Sequence, residues 1–89
     1  MKRPYLEVTF RNGRPIAAYL FLNRKPGDKS CRTSKVEPGL IIDYEQGGRA
    51  IGIEITAPTK VTVSEIKQIL MELGAPAITG ADLAPLKAA

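Results

Sequence analysis

The segment from Leu40 to Thr56 constrains the fold more than any other part of the chain. Apolar and polar residues alternate on both sides of Gly47-Gly48, the period of strands whose two faces meet different surroundings. If these glycines are the central residues of a two-residue turn, one face carries only apolar pairs: Leu40 with Ile55, Ile42 with Ile53, and Tyr44 with Ile51. The segment therefore predicts an antiparallel hairpin that buries one side.

A helix is predicted directly after this hairpin. Thr62 followed by Glu65 is a capping-box pattern, and Gly74 supplies a C-terminal stop. Between them, apolar residues recur at helical spacing: Val63, Ile66, Ile69, Leu70 and Leu73. We expect this amphipathic helix to lie across the apolar face of the hairpin, with Ile42, Tyr44, Ile51 and Ile53 beneath it.

A second hairpin is predicted around Asn12-Gly13, between strands 5–10 and 15–22. A two-residue turn places Arg11 opposite Arg14, a like-charge pair that indicates either a wider turn or an anionic partner. The same register places apolar side chains on both faces: Ile16, Ala18 and Leu20 lie opposite Thr9, Glu7 and Tyr5. One face of this hairpin is therefore expected to pack on something beyond the main core.

The remaining segments complete a small α+β domain. A loop with Pro26, Gly27 and Asp28 leads to a short extended piece, 33–36, and a turn at Pro38-Gly39. The 89 residues suffice for one core. We predict an antiparallel sheet of four or five strands with one helix packed on one face, forming a domain over residues 1–74. The extension 75–89 either adds a short helical turn from Asp82 or is a mobile tail.

Part of the chain resembles a known family. The string Val36-Glu-Pro-Gly-Leu-Ile-Ile-Asp-Tyr-Glu45, continued by Gly48-Arg-Ala-Ile-Gly-Ile-Glu-Ile55, resembles the bacterial domain-of-unknown-function family numbered 2283, and residues 17–22 look like its upstream strand. The likeness covers about residues 5–57, although Arg14-Pro15-Ile16 replaces the acidic residues that often precede that strand. The resemblance implies a small antiparallel sheet domain and a bacterial source. It brings no established activity, but members are similar in size to components of toxin and antitoxin pairs.

Charge is unevenly distributed along the chain. Residues 1–35 hold nine basic and two acidic residues, whereas the rest is net acidic and the whole chain carries +4. This asymmetry indicates either a nucleic-acid footprint or complementary faces that meet between subunits. The candidate contacts to nucleic acid or an acidic partner are Arg11, Arg14, Arg24, Lys25, Lys29 and Arg32. Tyr5, Tyr19 and Phe21 on adjacent strands are candidates for stacking bases, or else for the core.

Residues suited to catalysis are few. The chain has no histidine and one cysteine, which removes the usual general base and the commonest metal ligand. Cys31 lies among cations and is interpreted as an incidental loop thiol. Asp43, Glu45 and Glu54 project from one face of the predicted hairpin and are interpreted as solvated positions. We therefore predict no catalytic residue, no cofactor and no metal site.

These observations favour a non-enzymatic interaction module that self-associates, as a homodimer or higher oligomer, and serves as an accessory or antitoxin-like partner. A small aliphatic core leaves the energy balance of folding near zero, which oligomerisation remedies. The alternative is a nucleic-acid-binding protein that uses the basic first half, and a carboxylate-dependent hydrolase is third. The longest apolar run, residues 16–22, is too short to span a membrane and no leader is recognised, so a cytoplasmic location is expected.

Overall fold

The computed structural model describes residues 5–22, 25–74 and 80–87 and contains an antiparallel sheet with a short helix. The strands are β1 (Tyr5–Arg11), β2 (Arg14–Phe21), β3 (Arg32–Glu37), β4 (Leu40–Tyr44) and β5 (Ala50–Ile55). The helices are α1 (Val63–Glu72) and α2 (Gly80–Leu83), followed by a 3₁₀ helix at Ala84–Lys87. The five strands lie in the order β1-β2-β5-β4-β3. This confirms the predicted antiparallel sheet of four or five strands, with five strands present.

The hairpin of β4 and β5 has the predicted pairing except beside the turn. Ile42 pairs with Ile53 as expected, but a register shift leaves Tyr44 opposite Ala50, so its predicted pairing with Ile51 is wrong. The turn is wider than two residues, since the Glu45 amide donates to the Arg49 carbonyl at 2.9 Å. Gly48, with φ of 95°, takes the left-handed conformation that such a turn requires.

The hairpin of β1 and β2 has the predicted turn and a different register. Asn12 and Gly13 have φ of 52° and 76°, and Arg11 lies opposite Arg14, so the wider turn is excluded. Farther along, the pairing shifts by one residue at Ile16. The observed pairs are Val8 with Ala18 and Leu6 with Leu20, not Glu7 with Ala18 and Tyr5 with Leu20. The bulge therefore brings Leu6, Val8, Ala18 and Leu20 onto one face, which corrects the predicted two-sided placement of the aliphatic side chains.

The pairing of β2 with β5 joins the two hairpins into one sheet. It runs from Ala18 opposite Ile55 to Phe21 opposite Gly52. In the structure as described, β2 has no β5 partner before Ala18, so the end of the first hairpin extends past the last paired residue of β5, and Pro15 is buried within it. We call residues 10–16 the hairpin arm.

One hydrophobic cluster contains side chains from the sheet and from both helical segments. Its buried members are Ala18, Leu20, Leu22, Leu40, Ile42, Ile53, Ile55, Val61, Ile66, Ile69, Leu70, Leu83 and Leu86, and Tyr44 and Leu73 pack against it. The predicted grouping of Ile42 and Ile53 with side chains of α1 is thus observed, and Ile51 is buried as well.

The two α-helices begin at Val63 and at Gly80. α1 begins with the predicted capping box, in which the Glu65 amide donates to Thr62 Oγ1 at 3.0 Å and the Thr62 amide donates to Glu65 Oε1 at 2.8 Å.

The C-terminal extension is helical from Gly80 rather than Asp82, and its Leu83 and Leu86 are buried. Residues 75–79 and 88–89 lie outside the described residues. No helix in the described part of the chain combines the length and apolar character needed to cross a membrane.

A pair of carboxyl groups connects β3 to α1. The hydrogen bond between the side chains of Glu37 and Glu65 raises the pKa of Glu37 above its ordinary value. Partial desolvation and the negative charges of Glu65 and Glu72 raise it further. Protonated Glu37 can donate to Glu65, whereas two ionised carboxylates at this place repel each other.

Truncating Ile53 to alanine tests the position of the core. Ile53 is 0% exposed at the centre of the cluster, so we expect Ile53→Ala to lower the free energy of unfolding by about 2–5 kcal/mol in urea denaturation. The matched control is Met71→Ala, since Met71 on α1 is 75% exposed and its truncation should change stability by about 0.5 kcal/mol or less. Equal stability losses in the two variants would place Ile53 outside the core.

The carboxyl pair predicts a dependence of stability on pH. Because folding raises the pKa of Glu37, the folded protein binds this proton at a higher pH than the unfolded chain does. The free energy of unfolding should therefore rise as the pH falls toward the ordinary glutamate value of about 4.3. Glu37→Gln should remove this rise. Identical pH profiles for the parent and the variant would contradict the pairing.

Candidate functional site

The sheet face turned away from the hydrophobic cluster carries aromatic rings and carboxylates, and we call it the opposite face. Side chains alternate between the two faces along each strand, and the strand register aligns those on the opposite face in rows. One row across the sheet is Tyr5, Phe21, Gly52, Asp43 and Thr33. The next row is Glu7, Tyr19, Glu54, Ile41 and Lys35.

Three aromatic rings contact one another on the opposite face. Tyr5 and Phe21 stack with ring centroids 4.5 Å apart and planes 10° apart. Tyr19 lies against Phe21 at 4.7 Å with a tilt of 53°. Such ring pairs add about 0.5–1.5 kcal/mol beyond the area they bury. Tyr5 remains 40% exposed, so the group presents apolar surface to the outside.

A tyrosine covers a carboxylate at the centre of this face. The Tyr19 hydroxyl donates to Asp43 Oδ2 at 2.6 Å, and Asp43 is only 8% exposed. The interpretation of Asp43 as a solvated position is therefore wrong. The tyrosine crosses Gly52, where a Cβ atom would overlap the Tyr19 hydroxyl and ring. The sequence signal for this contact is a glycine inside an apolar strand, which marks a close approach.

The three carboxylates predicted to share a face do not all do so. Glu54 is exposed on the opposite face beside Asp43, as expected. Glu45 instead belongs to the turn, where its Oε1 accepts from the Arg49 amide at 2.8 Å. The Arg49 amide and then the Gly47 amide lower the pKa of Glu45. The turn is wider than the sequence indicated, and this width removes Glu45 from the strand alternation.

The chemistry of the opposite face suits a cationic partner. Glu7 and Glu54 are its exposed carboxylates and attract positive charge, with Lys35 at the far end of the same row, and its aromatic rings offer electron-rich faces to guanidinium or ammonium groups. Among the described residues, no three His, Cys, Asp or Glu side chains are grouped closely enough to hold a metal ion.

The basic residues of the first half lie at two ends of the sheet. Arg11 and Arg14 are at the tip of the hairpin arm, whereas Lys25, Lys29 and Arg32 lie at or before the start of β3. The eight residues of β2 separate the two groups by roughly 26 Å. Arg24 lies outside the described residues. The sequence therefore groups side chains that the fold holds apart.

The end of the sheet near Lys25 is organised by a long-range ion pair. Arg49 Nη2 lies 2.7 Å from Asp28 Oδ2, and the Lys25 amide also donates to Asp28 Oδ2 at 2.8 Å. The Lys25 amide and then the Arg49 side chain lower the pKa of Asp28. The ion pair was not predicted, because its partners are far apart in the sequence and meet only once β3 pairs with β4 beside the β4–β5 turn.

Cys31 lies beside this ion pair in a shallow pocket of about 380 Å³. The pocket lining combines the exposed thiol with both acidic and basic residues, so its charge is mixed: Gly27, Asp28, Lys29, Ser30, Cys31, Glu45 and Gln46. The guanidinium of Arg32, next to Cys31 in the sequence, lies over the Tyr44 ring at 4.6 Å from its centre and forms a cation–π contact there.

Residues 17–57 match the model of the family described as Protein of unknown function (DUF2283). This confirms the resemblance seen in the sequence. The matched segment runs from within β2 through β5 and includes Tyr19, Asp43 and Gly52, whereas β1, the hairpin arm and the helices lie outside it. Comparisons with curated proteins and with solved structures give no match.

Removing the Tyr19 hydroxyl tests the central contact of the opposite face. Tyr19→Phe leaves the Asp43 carboxylate buried without this donor, so we expect the free energy of unfolding to fall by about 1–3 kcal/mol. The matched control is Tyr5→Phe, which removes the hydroxyl of an exposed tyrosine and should change stability by about 0.5 kcal/mol or less. If both variants unfold at the same urea concentration, the hydrogen bond does not contribute.

Proposed function

We propose that the protein is a non-enzymatic interaction module that self-associates, with a twofold homodimer as the simplest form. The observation that carries this proposal is the exposure of Phe10 and Ile16 on the hairpin arm, 46% and 45% respectively. Both side chains lie on an element that projects beyond the central strands. Apolar groups presented on a projecting element favour contact with another protein surface.

The bulge in the first hairpin determines which apolar residues support this proposal. The bulge at Ile16 turns Ala18 and Leu20 toward the cluster, so they no longer supply an apolar surface for a partner. The apolar surface for association is instead the exposed part of the arm together with Tyr5. A small cluster with few aromatic residues still favours association as an additional source of stability.

We also propose that α1 and the C-terminal helical segment pack together on the cluster face of the sheet. Support comes from Ile66 and Leu70 of α1 and from Leu83 and Leu86, which share one hydrophobic cluster with strand side chains. With the helical segments on the cluster face, the opposite face and the arm are open to a partner.

The proposed absence of catalysis is supported by the hydrogen bonds that two of the candidate carboxylates already form within the fold. Asp43 is engaged by Tyr19, Glu45 is engaged in a turn, and the chain lacks histidine. A general acid and base need groups with separately tuned pKa values that face a common substrate position. A role as an accessory or antitoxin-like partner in a bacterial cytoplasm is the biological setting we propose, and it rests on the family resemblance and on the small size of the chain.

Nucleic-acid binding is the second candidate function. The specific observation in its favour is the pair of arginines at the tip of a projecting two-stranded ribbon, because such ribbons can enter a groove of DNA. The separation of the remaining basic residues from this tip argues against one continuous phosphate-binding surface.

Measuring the mass in solution tests self-association. At tens of micromolar protein, light scattering after size exclusion should give about twice the chain mass of 9.6 kDa. Phe10→Ser combined with Ile16→Ser should weaken the dimer at least tenfold, about 1.4 kcal/mol. The matched control replaces Val36 and Met71 with serine, since these residues are similarly or more exposed and lie outside the arm. A monomer mass for the parent protein would refute the proposal.

A further inference from the structure

We propose that the hairpin arm of one protomer docks on the opposite face of a second copy, where Arg11 and Arg14 pair with Glu7 and Glu54. This inference rests on the proposed self-association and assigns the two surfaces that form the contact. It follows from the unbalanced charge of the arm, the composition of the opposite face and the length of the projecting ribbon.

The arm carries positive charge that the described structure leaves unbalanced. Arg11 and Arg14 lie directly opposite each other across a two-residue turn, where like charges are destabilising. Both side chains are exposed, and neither forms an ion pair with any of the described residues. The sequence offered a wider turn or an anionic partner as explanations, and the structure excludes the turn. An anionic counterpart therefore explains the pair.

The opposite face offers that counterpart in one row. Glu7 and Glu54 are exposed and lie on either side of Tyr19, because Tyr19 pairs with both across neighbouring strands. Strands in a sheet are about 4.8 Å apart, so these carboxylates stand roughly 10 Å apart at their backbones. The two arginines start about 5 Å apart, and their mutual repulsion spreads the long side chains outward, toward the spacing of the carboxylates.

The arm is long enough to reach both carboxylates. About five residues of β2 and the turn project past Ala18, which corresponds to roughly 16 Å of extended chain. This length exceeds the roughly 10 Å between β1 and β5, so a docked arm crosses the three strands that carry the row. Phe10 precedes Arg11 in the strand and lies on the other face of the ribbon, so Arg11 and Arg14 are the side chains that face the row in this position.

Reciprocal docking produces a closed assembly. When each arm lies on the face of the other protomer, a twofold axis relates the two contacts and no unsatisfied surface remains to extend a chain of copies. The same arginine and glutamate positions are then used twice in each dimer.

A second copy fits the arm better than nucleic acid does. Phosphates would neutralise Arg11 and Arg14, but Glu7 and Glu54 on the adjoining face would repel a polyanion. A copy of this chain instead presents two exposed carboxylates in one row, one for each arginine.

Charge reversal with rescue tests this assignment. The arm variant combines Arg11→Glu with Arg14→Glu, and the face variant combines Glu7→Lys with Glu54→Lys. Each variant alone should dimerise at least tenfold more weakly than the parent protein in sedimentation velocity at physiological salt. An equimolar mixture should recover an affinity within about threefold of the parent, because each arm then meets a face of opposite charge. Circular dichroism confirms that each variant is folded.

A matched control keeps general charge effects separate. Lys60→Glu combined with Lys67→Glu changes the net charge as much as the arm variant does, at exposed positions outside both surfaces, and should leave the dimer unchanged. A parent dimer that neither variant weakens, or that the mixture fails to restore, would overturn the docking while the proposed function survives. A monomeric parent would overturn both. Submicromolar binding of a monomer to a DNA duplex at physiological salt, lost in the arm variant, would assign the arm to nucleic acid.

Discussion

The pairing of β2 with β5 is the contact on which the rest of the structure depends. Each outer hairpin forms between neighbouring segments of the chain, but β2 and β5 are brought together only by folding of the whole sheet. Their pairing sets Leu20 beside Ile53 in the hydrophobic cluster. On the other face it sets Tyr19 across Gly52 within reach of Asp43. Because it begins at Ala18, it also determines how much of the first hairpin projects as the arm.

Local chemistry made much of the fold predictable. The alternation around Gly47-Gly48 identified β4 and β5 and most of their pairing. A shift of the register by one residue would separate the apolar pairs Leu40 with Ile55 and Ile42 with Ile53. Thr62 and Glu65 identified the start of α1, because their side chains satisfy amide groups that no helical carbonyl can reach. The family resemblance came from the β4–β5 segment and from residues 17–22, and α1 lies outside it.

The features that sequence reasoning missed depend on bulges and long-range contacts. A two-residue turn at Asn12-Gly13 was correct, yet it left apolar side chains on both faces; that conflict is the signal of a bulge, here at Ile16. The burial of Asp43 and its contact with Tyr19 require strands that are neither adjacent in the sequence nor paired with each other. No local rule contains this information. A glycine opposite an aspartate was the one available hint.

Sheet assembly leaves two surfaces that we propose to be complementary: the arm and the row formed by Glu7, Tyr19 and Glu54. The most direct measurement is a dilution series of proton–nitrogen correlation spectra. We expect the amide shifts of residues 10–14, of Ile16 and of this row to change together with protein concentration, while those of β3 and α1 stay constant. Shifts that change only in β3 or α1, or that do not depend on concentration from micromolar to millimolar protein, would contradict this expectation.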